Sequence, residues 1–560
     1  MGTNDVTFNT AATRWLGVWL DSQLTLKEHH AIRLKEGKKA LGWLRRLTGQ
    51  MGLAPVNCRK VMTACIQSVA MFGSELWWKG DGVEGTIQRA QELQVVVNKQ
   101  ARAVTGCFRT TNQGTLTMES GLRPATAQLE NRQRRFGLRL LSLPDSDQGR
   151  EVVGTKTWIG RRLKNALALA RRGRMETTVL LEEPEAQDAE TIQEDEKAAK
   201  AEAERSRPGI TMFTDGSRLD DGATGYAVAW QSGRSWVGIK NHMGHNQEAY
   251  DAECAALARA LEEAAKRQTA PERVTIFTDA QAAIRRMASE DPGPGQKYAI
   301  QARKHIAALR RARPDITIEI RWCPAHKGVP GNEKADEWAK LAAGTPFTRG
   351  VERLPRSLAH LKREISEKKL AEARQWASDR ITSHKYKMPR RQRPDQTVAG
   401  SSKRHASWFY QLKTGHCLTA QYLNWTKKWP TAQCWWCPYR TQTREHCFKV
   451  CPAWKEQQKT LWAEVRKETG RWKSRWKVRD LLADERCSRA VLDFLSTTDV
   501  GRLVPAPVEE DAQSEASEWE LRKRREQEEE RREEAEGLGA EVEEPLFLPT
   551  PAFMASAEEE

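Results

Sequence analysis

Two short segments that repeat one pattern constrain the fold of this 560-residue chain more than any other feature. The segments 210-ITMFTD-215 and 274-VTIFTD-279 each consist of an apolar, β-branched run that closes with Phe-Thr-Asp. Runs of this kind, bounded by turns, are typical of strands buried on both faces of a sheet. Open α/β sheets place their sites at the carboxyl ends of such strands, so each segment offers an aspartate where a site can form. An aspartate there can also cap the following helix, and for Asp279 that alternative stays open.

The sequence around these segments predicts an α/β domain built on a mixed five-stranded sheet with helices on its faces. Residues 224–231 and 235–243 alternate as an antiparallel meander does, and residues 316–322 predict a further strand. Helical apolar spacing appears in residues 247–267 and 332–343. The predicted order of elements is therefore β-β-β-α-β-α-α-β-α.

Four acids of this region, from two strands and two helices, can meet at one end of the sheet: Asp215, Glu253, Asp279 and Asp336. Glu253 lies on or beside the apolar stripe of its helix, where acids are rare unless they are paired or bind a metal. Four adjacent carboxylates repel one another and thereby raise one another's pKa. Divalent cations bound among them remove that repulsion. Ligands that are all oxygen predict Mg²⁺ or Mn²⁺ rather than zinc. Two such ions about 3.5–4 Å apart can activate a water and stabilise the leaving oxygen of a phosphodiester.

These motifs together resemble the ribonuclease H family. Within residues 208–343, TDGS carries Asp215, YDAEC carries Glu253, FTDAQ carries Asp279, and AHKGVPGNEKAD carries His326 and Asp336. The resemblance implies that the four acids bind two Mg²⁺ ions and that the RNA strand of an RNA–DNA hybrid is cut, leaving 5′-phosphate and 3′-hydroxyl ends. It also implies that the histidine, on a mobile loop, assists proton transfer or product release. Imidazole suits that role because it titrates near neutrality.

One segment departs from that family. Many cellular members insert a basic, Trp-bearing helical protrusion between the second and third helices, whereas this chain has only 289-SEDPGPGQKY-298. In lacking this protrusion, the chain resembles the shorter ribonuclease H domains of retroelement polyproteins. Lys297, Arg303 and Lys304 on the next helix are candidate phosphate contacts, although a solvated basic face would show the same pattern.

A second metal site is indicated in 434-CWWCPYRTQTREHCFKVC-451. A close cysteine pair is followed by a histidine and another cysteine: Cys434, Cys437, His446 and Cys451. The spacing C-x₂-C-x₈-H-x₄-C suits one tetrahedral Zn²⁺ ion, and four unrelated reduced residues are the alternative. Trp435 and Trp436 are candidate stacking sites for single-stranded nucleic acid. The pattern resembles the CCHC knuckle near the end of non-LTR retrotransposon polyproteins.

The charge of the chain is uneven. The net charge is +16, but residues 501–560 carry 7 Lys and Arg against 19 Asp and Glu, so the remainder carries +28 by subtraction. A body this basic suggests a polyanionic partner, nucleic acid first, although basic composition alone can occur without one. No apolar run is long enough to predict a membrane span. The 11 cysteines follow no disulfide framework, which predicts reduced thiols.

Composition and resemblance divide the chain into six regions. Residues 1–145 are mostly helical. Their segments RWLGVWLDSQLTLKEH, FGSELWW and ESGLRPATAQLENRQRRFGLRLLSLP resemble the thumb and connection that follow the palm of a non-LTR reverse transcriptase. The other regions are a basic then acidic linker at 146–207, a ribonuclease H domain at 208–345, a basic linker at 346–405, the zinc-knuckle region at 406–500 and an acidic tail at 501–560. No aromatic-x-Asp-Asp polymerase motif is present, so we expect no polymerase activity. We expect the chain to be the C-terminal portion of a retroelement polyprotein, from a truncated reading frame or an incomplete gene model.

Three functions compete. The first is metal-dependent hydrolysis of the RNA strand of RNA–DNA hybrids, and the second is a catalytically idle nucleic-acid-binding relic of a non-LTR retrotransposon. The third, a related DNA transposase or resolvase, shares the acidic cluster, but the arrangement of His326 and Asp336 argues against it. Retention of all five expected residues favours the enzyme. The expected partners are RNA–DNA hybrid, single-stranded nucleic acid and a polymerase supplied in trans. The expected location is the nucleus, otherwise the cytoplasm.

Overall fold

A computed structural model describes most of the chain. The described residues are 12–44, 48–49, 52–80, 82–144, 147–151, 174–179, 190–192, 195–269, 271–345, 354–383, 385–389 and 393–502. They form two compact units, a helical unit and a sheet-containing unit. The helical unit takes the described residues of 1–72, 88–125 and 373–560, and the sheet-containing unit takes those of 73–87 and 126–372. The predicted acidic tail from residue 503 onward, most of the linker between 146 and 194, and residues 346–353 lie outside the described residues.

Eight strands occur among the described residues: β1 Thr13–Trp15, β2 Val18–Leu20, β3 Glu190–Ile192, β4 Ile210–Arg218, β5 Thr224–Ser232, β6 Ser235–Gly244, β7 Arg273–Thr278 and β8 Thr317–Trp322.

The α-helices that precede β4 are α1 Lys27–Leu44, α2 Pro55–Met62, α3 Ser68–Ala70, α4 Ser74–Trp77, α5 Ile87–Thr105, α6 Gln113–Ser120, α7 Ala125–Ser142, α8 Gln148–Glu151 and α9 Glu196–Glu204. A π-helical turn, Thr63–Gln67, joins α2 and α3. The later helices are α10 Ala249–Ala265, α11 Gln281–Ala288, α12 Gln296–Ala312, α13 Pro330–Gly344, α14 Leu358–Ser378, α15 Gln396–Gly400, α16 Lys403–Thr414, α17 Ala420–Trp425, α18 Arg444–Lys449, α19 Lys455–Thr469, α20 Val478–Leu481 and α21 Ser488–Ser496. Short 3₁₀ turns lie at Pro452–Trp454, Lys473–Arg475 and Glu485–Cys487.

The large sheet has six strands in the order β3-β8-β7-β4-β5-β6. Strands β4, β5 and β6 form the predicted antiparallel meander, and β4, β7, β8 and β3 pair in parallel. The predicted mixed α/β sheet is therefore confirmed, but the count of five strands was one short. The additional strand β3 pairs in parallel with β8 at the edge of the sheet and comes from the segment interpreted as a linker.

Each face of this sheet packs against helices, and successive side chains of a strand point to opposite faces. Met212 and Ile276 pack with Leu257 of α10 on one face, in a core that α11 and α12 also enter. On the other face, Phe213 packs with Ala335 of α13 in a smaller core. This alternation places Asp215 on the face that α13 covers.

The helical unit combines residues from both ends of the described chain. A buried ion pair joins Lys413 Nζ to Glu119 Oε2 at 2.9 Å, and the Tyr386 hydroxyl donates to Glu119 Oε1 at 2.6 Å. The buried Lys403 ammonium donates to the Val104 carbonyl at 2.6 Å. Removing one partner of such a pair costs about 3–5 kcal/mol because the other charge stays buried. These contacts therefore hold α5 and α6 against α16.

In the part of the chain that the structure describes, none of the helices has the length and apolar character needed to span a membrane.

Candidate active site and candidate metal centre

Asp215 and Asp279 come together because of the register between two parallel strands. Strands β4 and β7 pair as far as Thr214 opposite Thr278, and each aspartate is the next residue along its chain. Strand β7 ends there, whereas β4 continues to Arg218 paired with β5 alone. Asp215 therefore lies inside a strand rather than at its end, but the two carboxylates still share one edge of the parallel pairing.

Glu253 reaches this edge because a glycine lets its helix approach the strand. A Cβ on Gly216 would lie 2.5 Å from the backbone nitrogen of Glu253, so a larger residue would push α10 away from β4. The Gly216 backbone partly opposes the rise that burial causes in the pKa of Glu253. Because of this close approach, one carboxylate oxygen from each of Asp215, Glu253 and Asp279 lies within 4.8 Å of the other two.

Asp336 and His326, the other two predicted catalytic residues, lie beside this triad. Asp336 is half-buried on α13, and its Oδ2 accepts from Lys340 Nζ at 2.7 Å. Its charge still raises the pKa of Asp215. His326 is exposed and has a left-handed φ of 52°. Burial raises the pKa of Asp279, and the interaction with His326 partly opposes that rise. The structure thus brings three of the four acids into one cluster and leaves Asp336 and His326 at its margin.

Asn332 contacts the acidic cluster, although sequence reasoning gave it no role. Its Nδ2 donates to Asp279 Oδ2 at 3.3 Å, and its Oδ1 accepts from Cys323 Sγ at 3.3 Å. The Trp322 Nε1 donates to the Asp279 backbone carbonyl at 3.1 Å. These contacts hold Asp279 from both its backbone and its side chain. The only sequence signal for Asn332 was its place inside the histidine-to-aspartate motif.

The electrostatics of the cluster fit a divalent cation. Burial, reinforced by the charges of Asp279 and Asp336, raises the pKa of Asp215 to about 8. Burial and the charge of Asp215 raise the pKa of Glu253 well above its ordinary value. Burial also raises the pKa of Asp279, against the opposing effect of its bond from Asn332. Glu253 Oε2 is buried without a hydrogen-bond partner. An orphaned carboxylate oxygen among other carboxylates is a site for a hard cation.

We predict that Mg²⁺ raises the melting temperature of the chain more at pH 8 than at pH 5. The pKa of Asp215 is about 8 in the folded chain against an ordinary 3.8, so between these values the folded state binds more protons than the unfolded state. The free energy of unfolding therefore falls as pH rises through that window, and a bound cation offsets the loss. A difference of a few kcal/mol in the free energy of unfolding corresponds to a difference of roughly 5–10 °C in the melting temperature.

The measurement is calorimetry at both pH values with and without MgCl₂. Chelators are omitted so that the cluster of Cys434, Cys437, His446 and Cys451, called the Cys–His cluster below, keeps any metal it holds. Asp215→Asn is the control, and it should flatten the pH dependence. Equal Mg²⁺ shifts at pH 5 and pH 8 in the unmodified chain would contradict the prediction.

Helix α9, from the acidic segment, contacts the loop that carries His326. Lys200 Nζ donates to the Lys327 carbonyl at 2.7 Å, and Lys327 Nζ pairs with Glu196 Oε1 at 3.0 Å. Ala203 of the same helix packs in the core that contains Val329. The acidic segment, interpreted from the sequence as a linker or a solvated helix, therefore contains a helix that supports this loop.

The predicted phosphate contacts on α12 have different surroundings. Lys304 is exposed, and Lys297 is half-buried with its ammonium 4.6 Å from the centroid of the Tyr298 ring. Arg303 is only 6% exposed, and its Nη2 donates to the Ser289 carbonyl at 2.8 Å. The structure thus places Arg303 under the short loop that replaces the helical protrusion, and leaves Lys304 facing solvent.

The four predicted zinc ligands form a second cluster, in the helical unit. Cys434 Sγ and Cys437 Sγ each lie 3.9 Å from Cys451 Sγ, and Cys437 Sγ lies 3.3 Å from His446 Nε2. A tetrahedral zinc centre with Zn–S bonds of about 2.3 Å has S···S edges of about 3.8 Å, so the donors are spaced for this metal. Gln442 Nε2 donates to Cys434 Sγ at 3.7 Å. All 11 cysteines are free of disulfides.

Trp435 and Trp436, the predicted stacking residues, are half-buried and contact other tryptophans. The Trp435 ring meets Trp429 edge-on at 5.6 Å, and Trp436 meets Trp454 edge-on at 5.2 Å between centroids. Their rings therefore contribute to the packing around the Cys–His cluster. Their role as stacking platforms stays a prediction.

Comparison with known proteins assigns the sheet-containing region. Residues 207–344 match the model of the family described as RNase H. These residues form an RNase H domain, and the six-stranded mixed sheet with its flanking helices is an RNase H-like fold. The match leaves residues 1–206 and 345–560 outside it. A search of curated proteins found no match.

Solved structures show distant similarity. One is the N-terminal RNase H domain of a Mycobacterium tuberculosis protein fused to maltose-binding protein, with 20% identity over 24% of this chain and 98% of that chain, and a TM-score of 0.20. LC11-RNase H1 in complex with an RNA/DNA hybrid shares 22% identity over 24% of this chain and 96% of that chain, TM-score 0.20. The foamy viral protease-reverse transcriptase in complex with an RNA/DNA hybrid shares 15% identity over 33% of this chain and 26% of that chain, TM-score 0.20. The family match, rather than these structures, assigns the domain.

Proposed function

We propose that the chain is a metal-dependent endoribonuclease that hydrolyses the RNA strand of RNA–DNA hybrids. The observation that carries the proposal is the convergence of Asp215, Glu253 and Asp279 within 4.8 Å, inside a domain that matches the RNase H family. Asp336 would complete the ligand set from α13. Two solved RNase H-related structures with distant similarity are complexes with RNA/DNA hybrids, in accord with this substrate.

The chain's own residues supply positioning and proton transfer. The four carboxylates would hold two Mg²⁺ ions, or Mn²⁺, which when bound activate a water and stabilise the leaving oxygen. Asn332 orients Asp279 toward the cluster through its hydrogen bond. His326, exposed on its loop beside Asp279, would assist proton transfer or product release. Burial of Asp215 and Glu253 excludes water from the back of the site.

The test is cleavage of a uniform RNA–DNA hybrid by the purified full chain in Mg²⁺. We expect the RNA strand of the hybrid to be cut and single-stranded RNA and duplex RNA to stay intact. Asp279→Asn and omission of Mg²⁺ should each abolish cutting. Binding of hybrid without cleavage, unaffected by Asp279→Asn, would support the catalytically idle relic instead.

Three further assignments belong to this proposal. The Cys–His cluster would bind one Zn²⁺ and form a knuckle, in accord with its donor spacing. The chain would derive from a retroelement polyprotein, with residues 1–145 in the position of a thumb and connection and a polymerase supplied in trans. An element that copies into chromosomal DNA would act in the nucleus.

A further inference from the structure

A cavity of about 370 Å³ lies in the helical unit, outside the RNase H domain. It opens beside α17 and α18, and its volume is in the range of about 300–1,000 Å³ that small-ligand sites occupy. Its lining combines two aromatic side chains with cations: Tyr422, Trp425, Lys385, Lys477 and Arg479.

The electrostatic balance of this cavity is positive. Lys385 and Lys477 are exposed, and neither side chain makes an ion pair among the described residues. One acid lines the cavity, Glu445, but its Oε2 pairs with Lys449 Nζ at 3.2 Å and its Oε1 accepts from the Val478 N–H at 2.6 Å. The cavity is therefore suited to an anionic ligand.

The aromatic side of the cavity has one braced ring and one exposed ring. Tyr422 stacks on Phe108 with 6.0 Å between centroids and 10° between planes, and its hydroxyl is 2.9 Å from Thr110 Oγ1. Trp425 follows one helical turn later and is 71% exposed, although tryptophan is a mostly buried residue in folded proteins. Lys385 Nζ lies 5.8 Å from the centroid of the Trp425 ring. A flat exposed ring beside a cation offers stacking and charge to the same ligand.

We propose that this cavity binds one unstacked nucleotide of single-stranded nucleic acid. The base would stack on Trp425, and the neighbouring phosphates would contact Lys385 and Lys477. A base within a duplex is stacked on both sides and cannot enter a concave site, whereas a single strand can turn a base outward. The inference is independent of hybrid cleavage, because the cavity contains no residue of the acidic cluster.

The test is fluorescence anisotropy of the full chain, in zinc-containing buffer without Mg²⁺, with a labelled oligo-dT of about 20 nucleotides. A DNA single strand is not a substrate of the proposed cleavage, so binding is read apart from activity. We expect Trp425→Ala to weaken binding by about tenfold or more and Trp425→Phe to retain most of it. Trp472→Ala is the matched control, since Trp472 is 58% exposed in the same unit and does not line the cavity. It should change binding less than about twofold.

Charge gives a second readout. The double variant Lys385→Ala with Lys477→Ala should lower the slope of log K against log salt by about 1–2, because each phosphate contact releases about one counterion. Equal binding by Trp425→Ala and the unmodified chain would overturn the proposal. Competition by an acidic peptide as strong as that by unlabelled oligo-dT would also overturn it, and would assign the cavity to a protein partner.

Discussion

Glu253→Gln is expected to abolish hybrid cleavage and, in the absence of Mg²⁺, to raise the melting temperature at pH 8. We expect the loss of activity to be at least about 1,000-fold, the size expected when about 4 kcal/mol of transition-state stabilisation is removed. The opposite effects on activity and stability follow from one cause. The carboxylate repels its neighbours unless a cation lies among them.

Glutamine suits the metal-free cluster better than glutamate does. Glutamate at this position has a pKa raised by burial and by the charge of Asp215, and its Oε2 has no hydrogen-bond partner. The glutamine amide can donate a hydrogen bond to the Asp215 carboxylate, whereas an ionised glutamate can only accept one. Because the pKa of Glu253 is raised in the folded chain, the destabilisation that the substitution removes grows as pH rises above the ordinary value of 4.5.

The measurement pairs the hybrid cleavage assay with calorimetry at pH 8 without Mg²⁺. Glu263→Gln is the matched control, because Glu263 lies on the same helix and pairs with Arg259 at 3.9 Å, away from the cluster. It should leave activity and melting temperature nearly unchanged. A lower melting temperature for Glu253→Gln, together with lost activity, would attribute the loss to misfolding and contradict the electrostatic account.

The main sheet and three members of its acidic cluster were predictable because their signals are local. Alternating runs predicted β5 and β6, and continuous apolar runs predicted β4 and β7. The shared ending of β4 and β7 marked Asp215 and Asp279. Glu253 was marked as an acid beside an apolar stripe. The pairing register, which a sequence does not show directly, then brought the two aspartates to one edge.

The missed features depend on small residues or on distant partners. Helix α9 packs through Ala199 and Ala203, 1% and 7% exposed, and alanines in an acidic segment give no apolar periodicity. Arg303 turns inward because a carbonyl of the preceding loop accepts its hydrogen bond, which helical charge patterning cannot show. The ion pair between Glu119 and Lys413 spans 294 positions of the chain, so no local pattern connects the two residues.

Replacement of one zinc ligand is expected to have the largest structural effect in the helical unit. We predict that the purified chain binds one Zn²⁺, that Cys437→Ser loses it, and that the region around the cluster then unfolds. Structural zinc supplies apparent binding energies of about 10–16 kcal/mol in small zinc-binding peptides, and that energy is folding energy. The four ligands join the segment of Cys434 and Cys437 to α18 and to Cys451, so the metal would hold these parts of the chain together. Tryptophan fluorescence reports the change, since Trp435 and Trp436 adjoin the ligands.

The neighbouring thiol of Cys447 provides a matched control for this prediction. Cys447 is 1% exposed, about as buried as the ligand Cys451, but it lies outside the group whose donor atoms share the site. Cys447→Ala should therefore keep one zinc per chain by metal analysis and lose only the stability of a small buried side chain, about 1–2 kcal/mol. Equal zinc loss in both variants, or no zinc in the unmodified chain, would contradict the assignment. Oligo-dT binding can be measured on the same zinc-free Cys437→Ser variant. Retained binding would show that the cavity beside Trp425 forms without the metal. Trp425 and Tyr422 both lie on α17, and Tyr422 contacts Phe108 and Thr110 rather than the zinc ligands.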